Sequence, residues 1–165
     1  SMKHIYICSS KIDGLGISIG ENVKKGEVVA HIKGEMKFKV NKSLKDTFAN
    51  PDWVGIAKDQ WIDPEKPYKF LNHSCNPTVG VKGRVTLVVL RDMKEGEEVT
   101  VDYSTIEGDP NWEMECACGE GNCRKIVKSV QFMPEDQFEK YLPYVSTYFK
   151  NLYLKRSKNV RMGRI

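Results

Sequence analysis

The chain reads as a mostly β protein with a minor α component: several small sheets, closed by a helical C-terminal segment. Three observations predict this. Short apolar or alternating runs recur through the first hundred positions, each bounded by Gly- or Ser-containing punctuation. One pair of runs flanks Lys82-Gly83-Arg84, a hairpin signal. From Pro134 onward apolar residues recur at steps of three and four, the period of a helix.

Taken in order, Ile5-Tyr6-Ile7-Cys8 is an apolar run, Gly16-Ile17-Ser18-Ile19 alternates, and Val28-Val29-Ala30-His31-Ile32 is a third strand. Met36-Lys37-Phe38-Lys39-Val40 alternates strictly, which predicts the apolar residues against the core and the lysines in water. Trp53-Val54-Gly55-Ile56 and Gln60-Trp61-Ile62 are strand-like, and Val79 to Val81 with Val85 to Leu90 form the hairpin. His4 and His31 fall in or beside strands and have no ligand role. The segment Val23-Lys24-Lys25-Gly26-Glu27 is echoed by Met93-Lys94-Glu95-Gly96-Glu97. One turn chemistry used twice, with Gly supplying a positive φ, accounts for the echo. Past Pro134, Phe138, Tyr141, Leu142, Val145, Phe149 and Leu152 mark an apolar helix face that reads as core packing. Glu135 and Asp136 sit where the helix dipole favours acids, and Pro143 divides the segment into two short helices.

A length of 165 residues bounds the chain to one domain, and 40% hydrophobic with 29% charged residues is ordinary globular composition. No apolar run approaches the ~18 residues of a membrane span. Ser1-Met2 reads as an expression remnant, and no secretory leader is evident. The expected location is the cytoplasm or nucleus. The +4 net charge is uneven: residues 155–165 hold five basic residues and no acid, leaving 21 basic against 22 acidic elsewhere. Nucleic-acid binding is thereby confined to that tail, which otherwise reads as a solvated end.

The five cysteines are Cys8, Cys75, Cys116, Cys118 and Cys123, three of them within eight positions. Cysteines one residue apart seldom meet disulfide geometry, so metal ligation is favoured, with a redox-active thiol cluster as the alternative. Cys8 reads as a buried thiol.

Polar density peaks at Phe70-Leu71-Asn72-His73-Ser74-Cys75-Asn76-Pro77. With Asp13-Gly14-Leu15-Gly16 upstream, Glu97-Glu98-Val99-Thr100-Val101-Asp102-Tyr103-Ser104 downstream and Cys116-Ala117-Cys118-Gly119-Glu120-Gly121-Asn122-Cys123 after it, the chain resembles the SET-domain protein-lysine methyltransferases over roughly residues 3 to 128. The resemblance implies a SET fold with a pseudo-knot between the Asn72 and Tyr103 segments. It implies a SET domain at 3–104, a post-SET zinc loop at 105–128 and a C-terminal helical segment with basic tail at 129–165. It further implies methyl transfer from S-adenosylmethionine to a lysine amine, Tyr103 being the catalytic hydroxyl. Gly14, Leu15, Gly16, Asn72, His73 and Tyr103 would bind the cofactor, and Cys75, Cys116, Cys118 and Cys123 a structural zinc. The implied partner is a protein with an accessible lysine, histone or otherwise, and no membrane.

Two departures stand out. Ile32 and Val101 occupy positions where the family often has an aromatic residue, which predicts a roomier channel that carries lysine past the monomethyl state unless Tyr68 or Trp112 fills the gap. The same two residues support an alternative, a SET-like binding module without turnover. A small zinc protein that binds nucleic acid through residues 155–165 is a second alternative.

Overall fold

The computed structural model describes residues 2–39 and 52–161, with side chains through residue 156. Twelve short strands and two helices make up the described chain: β1 (Ile5–Ser9), β2 (Leu15–Ile19), β3 (Val28–His31), β4 (Gly34–Phe38), β5 (Val54–Ala57), β6 (Gln60–Pro64), β7 (Asn72–His73), β8 (Val79–Lys82), β9 (Thr86–Val89), β10 (Glu98–Val101), β11 (Glu113–Glu115), β12 (Ile126–Lys128), α1 (Glu135–Tyr141) and α2 (Thr147–Arg161). They form four small sheets, ordered β1-β2-β10-β7, β3-β9-β8, β4-β6-β5 and β11-β12. β8 and β9 are the expected hairpin, with Gly83 at φ +66° in its loop. No helix among the described residues is long and apolar enough to cross a membrane.

The echoed segments do more than reuse a turn. Gly26 and Gly96 have φ of +88° and +90°. Lys24 N–H donates to Glu27 Oε2 and Lys94 N–H to Glu97 Oε2, each at 2.6 Å. Val23 and Met93 exchange both backbone hydrogen bonds at 2.9 Å. Lys25 N–H bonds Asp92 across the pair, and Glu95 N–H bonds Asn22 in return. The two units lie back to back and exchange arms: β3 leaves the first turn to pair with β9, and β10 leaves the second to pair with β2. This exchange sets β10, which delivers Asp102 and Tyr103, between β2 and the short β7 that carries Asn72.

Ile17, Ile19, Val29, Val79, Leu87 and Val99 centre the main core, where β2 is buried on both faces. A second core joins Val130, Phe138, Tyr141, Phe149 and Tyr153, with Phe138 stacked on Tyr153. Phe138, Tyr141 and Phe149 are buried as the helical period predicts and Val145 is buried between the helices, whereas Leu142 is exposed where the chain breaks between α1 and α2 at Pro143. The tail differs from expectation, since Lys155 to Arg161 continue α2 rather than leaving the fold as a free end.

β4 reverses the expected facing. Met36 and Phe38 are exposed, whereas Lys37 is partly covered. β4 is an edge strand, and Trp53 and Trp61 crowd the face on which Lys37 lies; its ammonium sits 5.7 Å from the Trp53 ring and pairs with Glu35. Lysine methylenes cover aromatic surface while the charge stays wet, so strict alternation named the wrong side. Val40 lies outside the described residues. Cys8 is half-buried rather than buried, 2.7 Å from Ser18 Oγ.

Candidate functional site

Three segments distant in sequence converge where β2, β10 and β7 run side by side. Parallel pairing of β7 with β10 sets Thr100 beside Asn72 and Val101 beside His73. Asn72 Nδ2 donates to the carbonyls of Asp13 (3.2 Å) and Leu15 (3.0 Å) and to Glu98 Oε1 (2.9 Å). The Ser10 hydroxyl donates to the same carboxylate. The Gly14–Gly16 turn is therefore pinned from below. A Cβ on Gly16 would lie 2.3 Å from Glu98 Oε1, so any larger residue has to displace the carboxylate that holds Asn72. Gly14 has φ +45° with open space around it, and Leu15 is exposed beside it. The Asn72 Oδ1 atom accepts no hydrogen bond from the described residues.

His73 is buried with both ring nitrogens engaged. Nδ1 accepts the Tyr103 N–H at 3.0 Å, which leaves the proton on Nε2, 3.3 Å from Cys75 Sγ. Burial lowers its pKa to about 4, against the pull of Asp102 and with the push of Arg124, so the ring is neutral at physiological pH. Its side chain couples two parts of the site, and only its backbone is available to a ligand.

Tyr103 opens a 3-10 turn, Tyr103–Ile106, N-capped by Asp102 through the Ser104 N–H. Its hydroxyl donates to Leu71 O at 2.6 Å. Burial, followed by the carboxylates of Asp52, Asp13 and Glu98, pushes the phenol up to about 12, so it stays protonated. Beyond it opens a cleft walled by Trp53, Tyr68, Trp112 and Tyr103 with Asp52 and Glu107. Ile32 and Val101 do not line this cleft; both are buried in the main core. The expectation that they widen the channel is corrected: the cleft's aromatic walls come from other positions, Tyr68 and Trp112 among them.

Cys75, Cys116, Cys118 and Cys123 bring their Sγ atoms within 4.8 Å of one another, Cys75 and Cys116 being 3.9 Å apart. A tetrahedron with Zn–S bonds near 2.3 Å has edges of about 3.8 Å, so the four thiols fit a closed zinc site. Burial raises the Cys75 and Cys116 thiols, whereas the Lys125 backbone N–H lowers Cys123 to about 7. A divalent cation would ionise all four together. Cys8 stands apart in β1.

No local pattern announces the node behind Tyr103. Asp102, 1% exposed, accepts a bidentate pair from Arg124 (2.7 Å and 2.7 Å) and the Tyr141 hydroxyl (2.8 Å). Arg124 also donates to Ser104 Oγ, and its backbone N–H reaches Cys75 Sγ. Gln137 and Asn122 amides close on the Cys75 carbonyl. Asp102 stood inside a segment already singled out; Arg124 was signalled only by its place directly after Cys123.

The SET domain family model matches residues 14–104, more than half of the chain. The chain belongs to the SET-domain family. This SET protein is 26% identical over 137 residues to the histone-lysine N-methyltransferase trr of Drosophila melanogaster, covering 74% of this chain and 6% of that one. It is 30% identical over 142 residues to the histone-lysine N-methyltransferase ASHR3 of Arabidopsis thaliana, covering 74% and 27%. With the H3 lysine-36 specific histone-lysine N-methyltransferase of Mus musculus it shares 31% over 148 residues, covering 78% and 6%. It thus spans between about one twentieth and one quarter of the length of these relatives. Among solved structures, KRYPTONITE in complex with mCHH DNA, an H3(1-15) peptide and SAH has a TM-score of 0.59 at 22% identity, covering 76% of this chain and 29% of that one. That likeness establishes a SET fold.

Proposed function

We propose that this SET domain transfers a methyl group from S-adenosylmethionine to the side-chain amine of a lysine in a protein substrate, with histone tails as the first candidates given the activities named for its relatives. The observation that carries the reading is the position of Tyr103. One phenol floors an aromatic cleft, and its own backbone N–H is fixed to the residue next to Asn72. The lysine side and the cofactor side meet at that group.

S-adenosylmethionine supplies an activated methyl on a sulfonium. Gly14, Leu15 and Gly16 would hold its amino-acid end along their backbone, and Asn72 Oδ1 would accept from its ammonium. His73 would contribute backbone only. A free lysine with pKa near 10.4 is neutral in roughly one molecule in two thousand at pH 7. Exclusion of water by two tryptophans and two tyrosines lowers that pKa, against the carboxylates of Asp52 and Glu107, which raise it. The Tyr103 oxygen, its proton committed to Leu71 O, can accept from the amine and aim the lone pair. Cys75, Cys116, Cys118 and Cys123 would hold the zinc that ties residues 105–128 against this floor, between a SET domain at 3–104 and the helical segment at 129–165. Cysteines kept reduced for a metal suit a reducing compartment, cytoplasm or nucleus.

Labelled-methyl transfer onto core histones and whole-cell lysate proteins tests the reading. Tyr103→Phe is expected to lower kcat by about a hundredfold, within the range for one positioned proton-handling group, while cofactor affinity by calorimetry changes less than about twofold. The native rate should rise with pH through the lysine range without a tyrosine break below pH 10, because the phenol stays protonated there. Labelling that survives Tyr103→Phe unchanged refutes the assignment.

A further inference from the structure

Helix α1 lies beyond residues 14–104, which match the SET model, and beyond the cysteine loop, yet one face of it reaches the site. Gln137 and Tyr141 stand four positions apart and so share that face. Both are buried. The Gln137 amide donates to Cys75 O at 2.6 Å and to the Tyr141 hydroxyl. That hydroxyl has a single proton, which goes to Asp102 Oδ2 at 2.8 Å rather than to Cys75 O at 3.4 Å. One helix face thus grips both crossing segments, 71–76 at the Cys75 carbonyl and 102–104 at the Asp102 carboxylate. Phe138, stacked on Tyr153, fixes the helix to α2.

The same two segments meet again at Tyr103, whose N–H is held by His73 and whose hydroxyl donates to Leu71 O. What sets their spacing from behind therefore sets where the phenol oxygen stands in the cleft. Asp102 has its acceptor positions filled: Oδ1 takes the Ser104 N–H and Arg124, and Oδ2 takes Arg124 and Tyr141. Without the Tyr141 proton one buried position is empty, and the carboxylate that caps the Tyr103 turn is free to rotate toward another donor. Resting on the proposed function, we infer that Tyr141, oriented by Gln137, is a positioning residue that acts through Asp102 to aim the Tyr103 hydroxyl at the substrate amine. The working site then extends past the cysteine loop into the C-terminal helical segment.

The test uses the full zinc-loaded chain, with methyl transfer onto core histones read well below the thermal midpoint of each variant. Tyr141→Phe keeps the ring and removes the hydroxyl. It should lower kcat about tenfold, part of the cost of a misplaced reacting group, with KM and cofactor affinity changed less than about twofold. In a Tyr103→Phe background the same change should cost less than about twofold, because the group being aimed is gone. A tyrosine that only holds the fold together would cost the same in both backgrounds. Independently of turnover, 3-fluorotyrosine in place of Tyr103 reports its ring by fluorine NMR, and the resonance should shift or broaden on Tyr141→Phe. Gln137→Met, which loses both donors at similar length, repeats each measurement should Tyr141→Phe not fold, with the same signs expected. An unchanged kcat, an equal loss in both backgrounds or an unmoved resonance overturns the inference. A native chain that labels no protein refutes the proposed function, and the fluorine resonance then decides the positioning alone.

Discussion

Asp102 has almost no exposure and draws its partners from three parts of the chain: Ser104 beside it, Arg124 from the cysteine loop and Tyr141 from α1. Removing the guanidinium strands a buried carboxylate. Arg124→Met is therefore expected to lower unfolding free energy by about 3–5 kcal/mol, and Arg124→Lys to recover little of it, because an ammonium cannot form the two parallel bonds. Urea denaturation of the zinc-loaded protein measures both; a loss under about 1 kcal/mol for Arg124→Met would mean the pair behaves like a surface bridge. At this scale sequence shows residue types but not partners. Tyr103 and Asn72 were legible because their neighbours form a dense local pattern. Arg124 and Glu107 were not, since a cation after a cysteine and an acid before a glycine look like surface residues until distant segments close around them.

At the scale of elements, the glycines separate into those that meet something and those that do not. Gly16 faces Glu98 and Asn72 across β10 and β7, so Gly16→Ala must displace the carboxylate that holds Asn72. Calorimetry should show cofactor affinity falling by about tenfold, or about 1.4 kcal/mol. Gly121→Ala, where a Cβ meets nothing and φ is ordinary, should leave it unchanged. Equal effects would show that the Gly14–Gly16 turn tolerates side chains. Strand existence was readable from apolar runs, and the break at Pro143 from proline chemistry. Facing on β4 was not, because alternation gives two faces without saying which one the tryptophans of other strands will cover. Nor was arm exchange between the repeated turns, which depends on pairings far beyond any local window.

For the molecule as a whole, the four thiols join the Asn72–Pro77 segment to the loop after Trp112, and Arg124 carries that join to Asp102 and Ser104, on either side of Tyr103. Metal analysis of freshly purified reduced protein should give one zinc per chain. Strong chelation should lower the thermal midpoint and loosen the cleft, seen as a shift in Trp112 and Trp53 fluorescence. Protein that purifies without zinc yet melts at the same temperature before and after chelation would remove the metal from the fold. The cluster was foreseeable from spacing; that its loop also closes the Asp102 node was not.

The exchanged arms fix an order of assembly. Glu98 pairs with Ser18, 80 positions away, and Thr100 with Asn72. During synthesis β2 must wait, its central position empty, until β10 has left the ribosome, and Cys75 waits in its turn for Cys123. Contacts of such separation make folding slow. The half-made chain exposes the edge of β3 until β9 is made and that of β2 until β10 is made, so the hazard for this protein lies in aggregation of nascent chains more than in unfolding of finished ones.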